Sequence, residues 1–192
     1  FKTGNVKTIL CAVPEEGDIH EDEAAEAISS AIDKNHIYAD KASTGRVNFK
    51  SQSLCLVRYD RDFIKEVNLV DESIAFSIVE HNQLLAEGDL IATLKIIPFF
   101  MKKKYVDRVI KILAKDELFK IHILKKKGAI LIQTCFEWQK KSIFTATSNV
   151  TKARLEALGC SLNKEKLISH DYDALRSAIR SSVKNGPEVL LI

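Results

Sequence analysis

Apolar positions along this chain alternate between two periods, and the switches between them outline the elements. Val6 to Val13 is an apolar run that predicts a strand, broken by Pro14 and Gly17. Asp18 stands where a helix cap belongs, acids follow it, and Ala24, Ala25, Ala27, Ile28, Ala31 and Ile32 fall at helical spacing. A turn at Ser43-Thr44-Gly45 leads to short strands at Val47 to Phe49 and Leu54 to Arg58. Asp60 caps a second predicted helix reaching about Leu69, with Phe63, Ile64 and Val67 on one side. Ile74 to Val79 and Leu90 to Phe99 read as strands, the latter ended by Pro98. Tyr105, Val106, Val109, Ile110, Leu113 and Ala114 mark a third helix, and Phe119 to Leu124 a further strand.

The pattern then changes at Lys125-Lys126-Lys127-Gly128, a charged seam between domains. Beyond it the spacing predicts a β-α-β-α-β unit. Ala129 to Thr134 is the first strand, and a helix from Ser148 or Asn149 turns Val150, Leu155 and Leu158 inward and stops at Gly159. Ser161 to Ser169 follows as the second strand. Asp171 caps a helix with Leu175, Ile179 and Val183 inward, and Pro187 to Ile192 is the last strand. The expected fold class is α/β: an N-terminal α+β domain over 1–127, then a partial three-stranded parallel α/β domain over 128–192. The third strand ends without a loop, and about 65 residues bury little surface alone. The expectation is therefore a chain cut inside its second sheet, with part of the ligand-facing rim left off.

Composition narrows the function classes. Charged residues at 29% and hydrophobic ones at 46% suit a soluble globular protein. The longest apolar run, Leu94 to Met101, is interrupted by Lys95 and Pro98, so no spanning helix and no membrane partner is expected. Four separated cysteines (Cys11, Cys55, Cys135, Cys160) form no paired motif and fit free thiols in a reducing cytoplasm. The histidines are equally scattered, which argues against a helical zinc site. Charge is uneven: Glu15 to Glu26 is acidic, and Met101 to Lys127 is basic. Aromatic residues do not interleave with those lysines as a strand-stacking groove requires, which argues against nucleic acid.

Candidate chemistry lies between the first parallel strand and its helix, at Cys135 to Asn149. This stretch reads as a loop too long for a simple turn. Lys140, Lys141, Ser142, Thr145, Thr147 and Ser148 offer ammonium and hydroxyl donors for a phosphate or carboxylate, and Arg154 follows about one turn into the helix. Helix capping accounts for such hydroxyls equally well. The stretch contains no glycine, which counts against a nucleotide-triphosphate or dinucleotide loop. In the first domain, Arg46 and Lys95 sit beside apolar strand residues, with Asp18, Glu21 and Asp22 as candidate partners in an internal ion-pair network. Ser142, His170 and Asp171 could be drawn as a triad, but nucleophile-elbow glycines are missing.

Three clusters, Gly17-Asp-Ile-His-Glu-Asp-Glu-Ala-Ala25, Thr44-Gly-Arg-Val-Asn48 and Ile91-Ala-Thr-Leu-Lys-Ile-Ile-Pro-Phe99, stand in this order. They are followed by Gln133-Thr134, Lys140, Ser142, Thr147, Val150-Thr151, Arg154-Leu155, Gly159 and His170-Asp171. Together they resemble the bacterial molybdopterin-binding domain proteins, especially those fused to a molybdenum-cofactor nucleotidyltransferase domain. The chain departs from that pattern at Thr145-Ala146, where the family has Asp-Lys. The resemblance implies binding of molybdopterin or a nucleotide-activated form, a pterin-phosphate small molecule, during molybdenum cofactor biosynthesis. Lys140 and Arg154 would hold the phosphate, Ser142, Thr147 and Thr151 would donate hydrogen bonds, and Thr134 would stand at the strand end. Binding rather than turnover is expected of this chain, and a homo-oligomer is compatible with it. The alternative is a non-catalytic assembly or regulatory module of such a nucleotidyltransferase.

Overall fold

The computed structural model describes residues 11–184, 186 and 188–192. The chain divides into two compact units, Phe1–Ile123 and Leu124–Ile192.

The first unit is α+β. Its largest sheet is antiparallel, ordered β2 (Ile37–Ala39), β3 (Arg46–Ser51), β7 (Leu90–Ile96) and β5 (Ile74–Ile78). Val47 and Phe49 of β3, Leu94 and Ile96 of β7, and Ile74 and Phe76 of β5 alternate into the core, as period-two patterning requires. Helix α1 (Glu21–Ser30) lays Ala24, Ala25 and Ile28 on this sheet; two small side chains in one turn let the helix approach closely. A second antiparallel sheet is ordered β6 (Leu84–Leu85), β4 (Cys55–Arg58) and β9 (Lys120–Ile123). Helix α2 (Arg61–Asn68) buries Ile64 and Val67, and its cap is the expected one: Asp60 accepts the Asp62 N–H at 2.8 Å. Helix α3 (Lys103–Leu113) buries Val106, Val109, Ile112 and Leu113.

Several expectations need correction here. The strand expected at Val6 to Val13 falls partly on residues outside those described; its described tail, Cys11–Val13, is exposed and not a strand. Asp18 caps no helix. It belongs to β1 (Asp18–His20), which pairs antiparallel with β8 (Phe100–Lys102), and the cap of α1 is His20, whose Nδ1 accepts the Asp22 N–H at 3.2 Å. The strand expected to reach Phe99 stops at Ile96. Pro98 cannot donate to a ladder, so the chain leaves the sheet and re-enters pairing at Phe100. Strands β2, β6 and β8 are too short to show a period.

The second unit is a parallel α/β sheet, ordered β11 (Ser161–Ser169), β10 (Gly128–Cys135), β12 (Val189–Leu191). The first strand is therefore central, and the order reverses between β10 and β12. Helix α5 (Tyr172–Val183) packs on one face, where Ile130, Ile132 and Ala178 form a small core with Ile168, Leu175, Ile179 and Leu190. Its N-terminus is capped as expected, by the Asp171 carboxylate accepting the Ala174 N–H at 2.9 Å.

Helix α4 (Lys141–Ala157) is the main departure in this unit. The long loop expected over Cys135 to Asn149 is only Phe136 to Lys140, and the rest is helix. No glycine or proline interrupts 141–158, and Phe144, Thr147, Thr151, Leu155 and Leu158 recur every three or four residues. Two of the hydroxyls that read as loop donors turn back on their own helix: Thr145 donates to the Lys141 carbonyl at 3.4 Å and Thr147 to that of Ile143 at 3.0 Å.

Candidate functional site

The Leu131 and Gln133 face of β10 lies towards α4 and is only partly covered. Gln133 ties the helix down, its Nε2 donating to Ser148 Oγ at 3.0 Å and to the Phe144 carbonyl at 3.3 Å. Ser148 in turn bonds the Glu165 carboxylate on β11. Beside this attachment is an open cavity of about 580 Å³, running along α4 from Ile143 to Leu158 and bounded by Leu131, Leu191 and Ile192. Its walls are mainly aliphatic. The polar groups on it are Gln133, Thr134, Thr147 and Thr151, and Arg154 is its one charged residue among those described. An apolar trough with few polar groups and a single cation is suited to a mainly apolar body carrying one anionic group.

Four of the six residues expected at the site, Thr134, Thr147, Thr151 and Arg154, line this cavity. Lys140 and Ser142 do not. Lys140 is exposed at the cap of α4 and Ser142 is exposed in its first turn. Arg154 was expected one turn into a helix beginning near Ser148; with the helix beginning at Lys141, it stands in the last turn. The 14 positions between Lys140 and Arg154 span about 21 Å of helix, so the two cannot grip one phosphate. That is a correction to the expected phosphate pair, and its cause is the early start of α4.

Sequence reasoning passed over a ring cluster at the carboxyl ends of β10 and β11. Phe136 and Trp138 stack with centroids 5.7 Å apart, and Phe136 meets the His170 ring at 4.3 Å. His170 Nδ1 lies 2.9 Å from Thr134 Oγ1 and Asp171 is committed to its helix cap, so the drawn triad with Ser142 does not assemble. The signal was present in Phe136-Glu-Trp138, but two aromatics in a loop have no period to read.

In the first unit the charged clusters interlock as an ion-pair network. Glu21 is 6% exposed and its carboxylate lies 3.6 Å from Lys95 Nζ; Lys95 also bonds the Thr44 carbonyl. Asp22 accepts the Gly45 N–H at 2.7 Å. Lys102 Nζ lies 2.8 Å from Glu15 and 3.0 Å from Asp18. The Glu15 N–H and the Lys102 ammonium hold the Asp18 carboxyl below the usual carboxylate range. Arg46, expected in the network, is exposed instead. Among the described residues no three His, Cys, Asp or Glu side chains gather as metal ligands, and no helix is long and apolar enough to cross a membrane.

No protein-family model, no curated protein and no solved structure matches this chain.

Proposed function

We propose that the second unit binds a pterin-phosphate, molybdopterin or its nucleotide-activated form, as a step of molybdenum cofactor biosynthesis. The observation that carries the reading is the convergence of Thr134, Thr147, Thr151 and Arg154 on one mainly apolar cavity. The cavity lies along the face between α4 and the β10–β12 pair, with Arg154 towards the amino ends of the strands. Arg154 supplies the charge for the anionic group, and Leu131, Phe144 and Leu155 give the ring an apolar bed. The Thr151 hydroxyl donates a hydrogen bond, while Thr147 and Thr134, already bonded to the Ile143 carbonyl and His170, offer acceptor lone pairs. The residues of the cavity bind and orient; none is placed as an acid–base pair. The four free thiols favour a reducing compartment such as the cytoplasm.

Calorimetry of the 192-residue chain with a phosphorylated pterin tests this reading. Saturable heat that Arg154→Ala weakens about tenfold is the expected result. No heat with the native chain would overturn it. A second reading, an assembly module, is favoured by Ile97 and Phe99, which flank Pro98 at 59% and 64% exposure. Sedimentation showing a self-associating chain that Phe99→Ser renders monomeric would establish that alternative.

A further inference from the structure

The rings beyond β10 form a built platform. The loop closes on itself: the Phe136 N–H donates to Gln139 Oε1 at 2.8 Å, and the Gln139 N–H returns to the Phe136 carbonyl at 3.1 Å. Behind the pair, the His170 ring packs on Phe136, is bonded through Nδ1 to Thr134, and its backbone N–H donates to the Cys135 carbonyl at 2.9 Å. Trp138 lies almost parallel to Phe136, 10° between their planes, and is nevertheless 79% exposed. A flat indole, braced against another ring and left open to solvent, is a surface for a further flat ring.

Position and charge narrow what that ring carries. The platform stands at the carboxyl ends of parallel strands, the rim where such sheets take ligands. Lys140, exposed, follows Trp138 by two residues, at most about 7 Å along the chain. We propose that Trp138, backed by Phe136, stacks the base of a nucleoside monophosphate, with the Lys140 ammonium taking its phosphate. The subsite stands a helix length from Arg154 and does not need the cavity to be filled. It also gives Lys140 a partner of its own, in place of the phosphate it cannot share.

Trp138 is the chain's one tryptophan, so its emission reports this subsite alone. Titrating AMP into the 192-residue chain should quench that emission saturably. Calorimetry should show AMP binding about tenfold weaker in Trp138→Ala, nearly unchanged in Trp138→Phe, and weakened in Lys140→Ala. Ribose 5-phosphate, which lacks a base, should bind the native chain and Trp138→Ala alike. Unchanged emission with AMP, or Trp138→Ala binding AMP as tightly as the native chain, would overturn the proposal. So would binding of a single-stranded oligonucleotide where AMP does not bind. Phosphorylated pterin read through Arg154→Ala reports the cavity separately, so either site can fail without the other.

Discussion

Glu21 and Lys95, 74 positions apart in the sequence, meet with 3.6 Å between carboxylate and ammonium at the edge of the first unit's core. The buried carboxylate has this cation as its ion-pair partner, and the turn at Thr44-Gly45 closes over both. Removing the cation while leaving the anion should therefore cost more than removing both. Lys95→Met is expected to lower stability by about 1–3 kcal/mol, the pair being partly open to water. The double variant Lys95→Met/Glu21→Gln should recover part of the loss. Chemical denaturation of the four members of this cycle measures the difference.

Gly45 is the residue that makes the closure fit. Its φ is +67°, and an added Cβ would meet the Ile96 carbonyl oxygen at 2.5 Å and Glu21 Oε2 at 2.7 Å. Backbone oxygen cannot swing aside as a side chain would. Gly45→Ala is expected to destabilise by about 2–4 kcal/mol, whereas Gly88→Ala, also at positive φ but with nothing near its Cβ, should cost only the backbone strain. Paired urea midpoints check the contrast.

The Asp18–Lys102 pair sets a pH response. The folded state holds the Asp18 carboxyl low, so its stabilisation is complete above the usual carboxylate range and is lost as pH falls towards the depressed value. The Lys102 ammonium, held above its usual range by Glu15 and Asp18, leaves the pair intact at neutral and mildly alkaline pH. In Asp18→Asn the loss of stability from about pH 5 downward should be shallower than in the native chain. Urea midpoints collected across that range give the slope.

Thiol chemistry should separate the cysteines. Burial, and secondarily the Asp89 charge, pushes the Cys55 thiol up, while Cys11 is exposed. Iodoacetamide at neutral pH should modify Cys11 in the folded chain and leave Cys55 untouched until denaturant is added. Peptide mass mapping at both conditions reads this directly.

Ser182 gives a test in the second unit. It is fully buried on α5, and its hydroxyl has no hydrogen-bond partner among the described residues. Ser182→Ala removes an unsatisfied group from the interior and is expected to raise stability, by about 1 kcal/mol at most. A fall in the thermal midpoint would count against it.

The helices were legible where apolar spacing and caps agreed: Asp60 and Asp171 begin helices as their positions foretell, and α3 keeps its apolar stripe. They were misjudged where hydroxyls stood in the first turns. Four of the seven side chains from Ser142 to Ser148 are hydroxyls, which favour loops and caps, yet within the helix Thr145 and Thr147 satisfy theirs on carbonyls one turn back. That misjudgement moved Arg154 from a first turn to a last one, and with it the supposed phosphate grip.

Residue order alone determined the mixed α/β character, the apolar faces of α1, α2 and α3, and the parallel arrangement of the last three strands, because these follow from local periodicity and from the right-handed crossovers that short βαβ links impose. It misplaced Val150, Leu158 and Val183, expected inward on α4 and α5 but exposed. It also pointed to partners for Arg46 and Lys95, charges beside apolar strand residues, and this held for Lys95 but not for Arg46. The tertiary structure alone decided which partners: Lys95 with Glu21, Lys102 with Asp18, and Arg46 with solvent. It alone placed β10 between its neighbours, joined His170 to Thr134, and stacked Trp138 on Phe136. The reason is physical: a hydrophobic period is a property of neighbours along the chain, whereas a pairing or a stack depends on where distant segments come to rest.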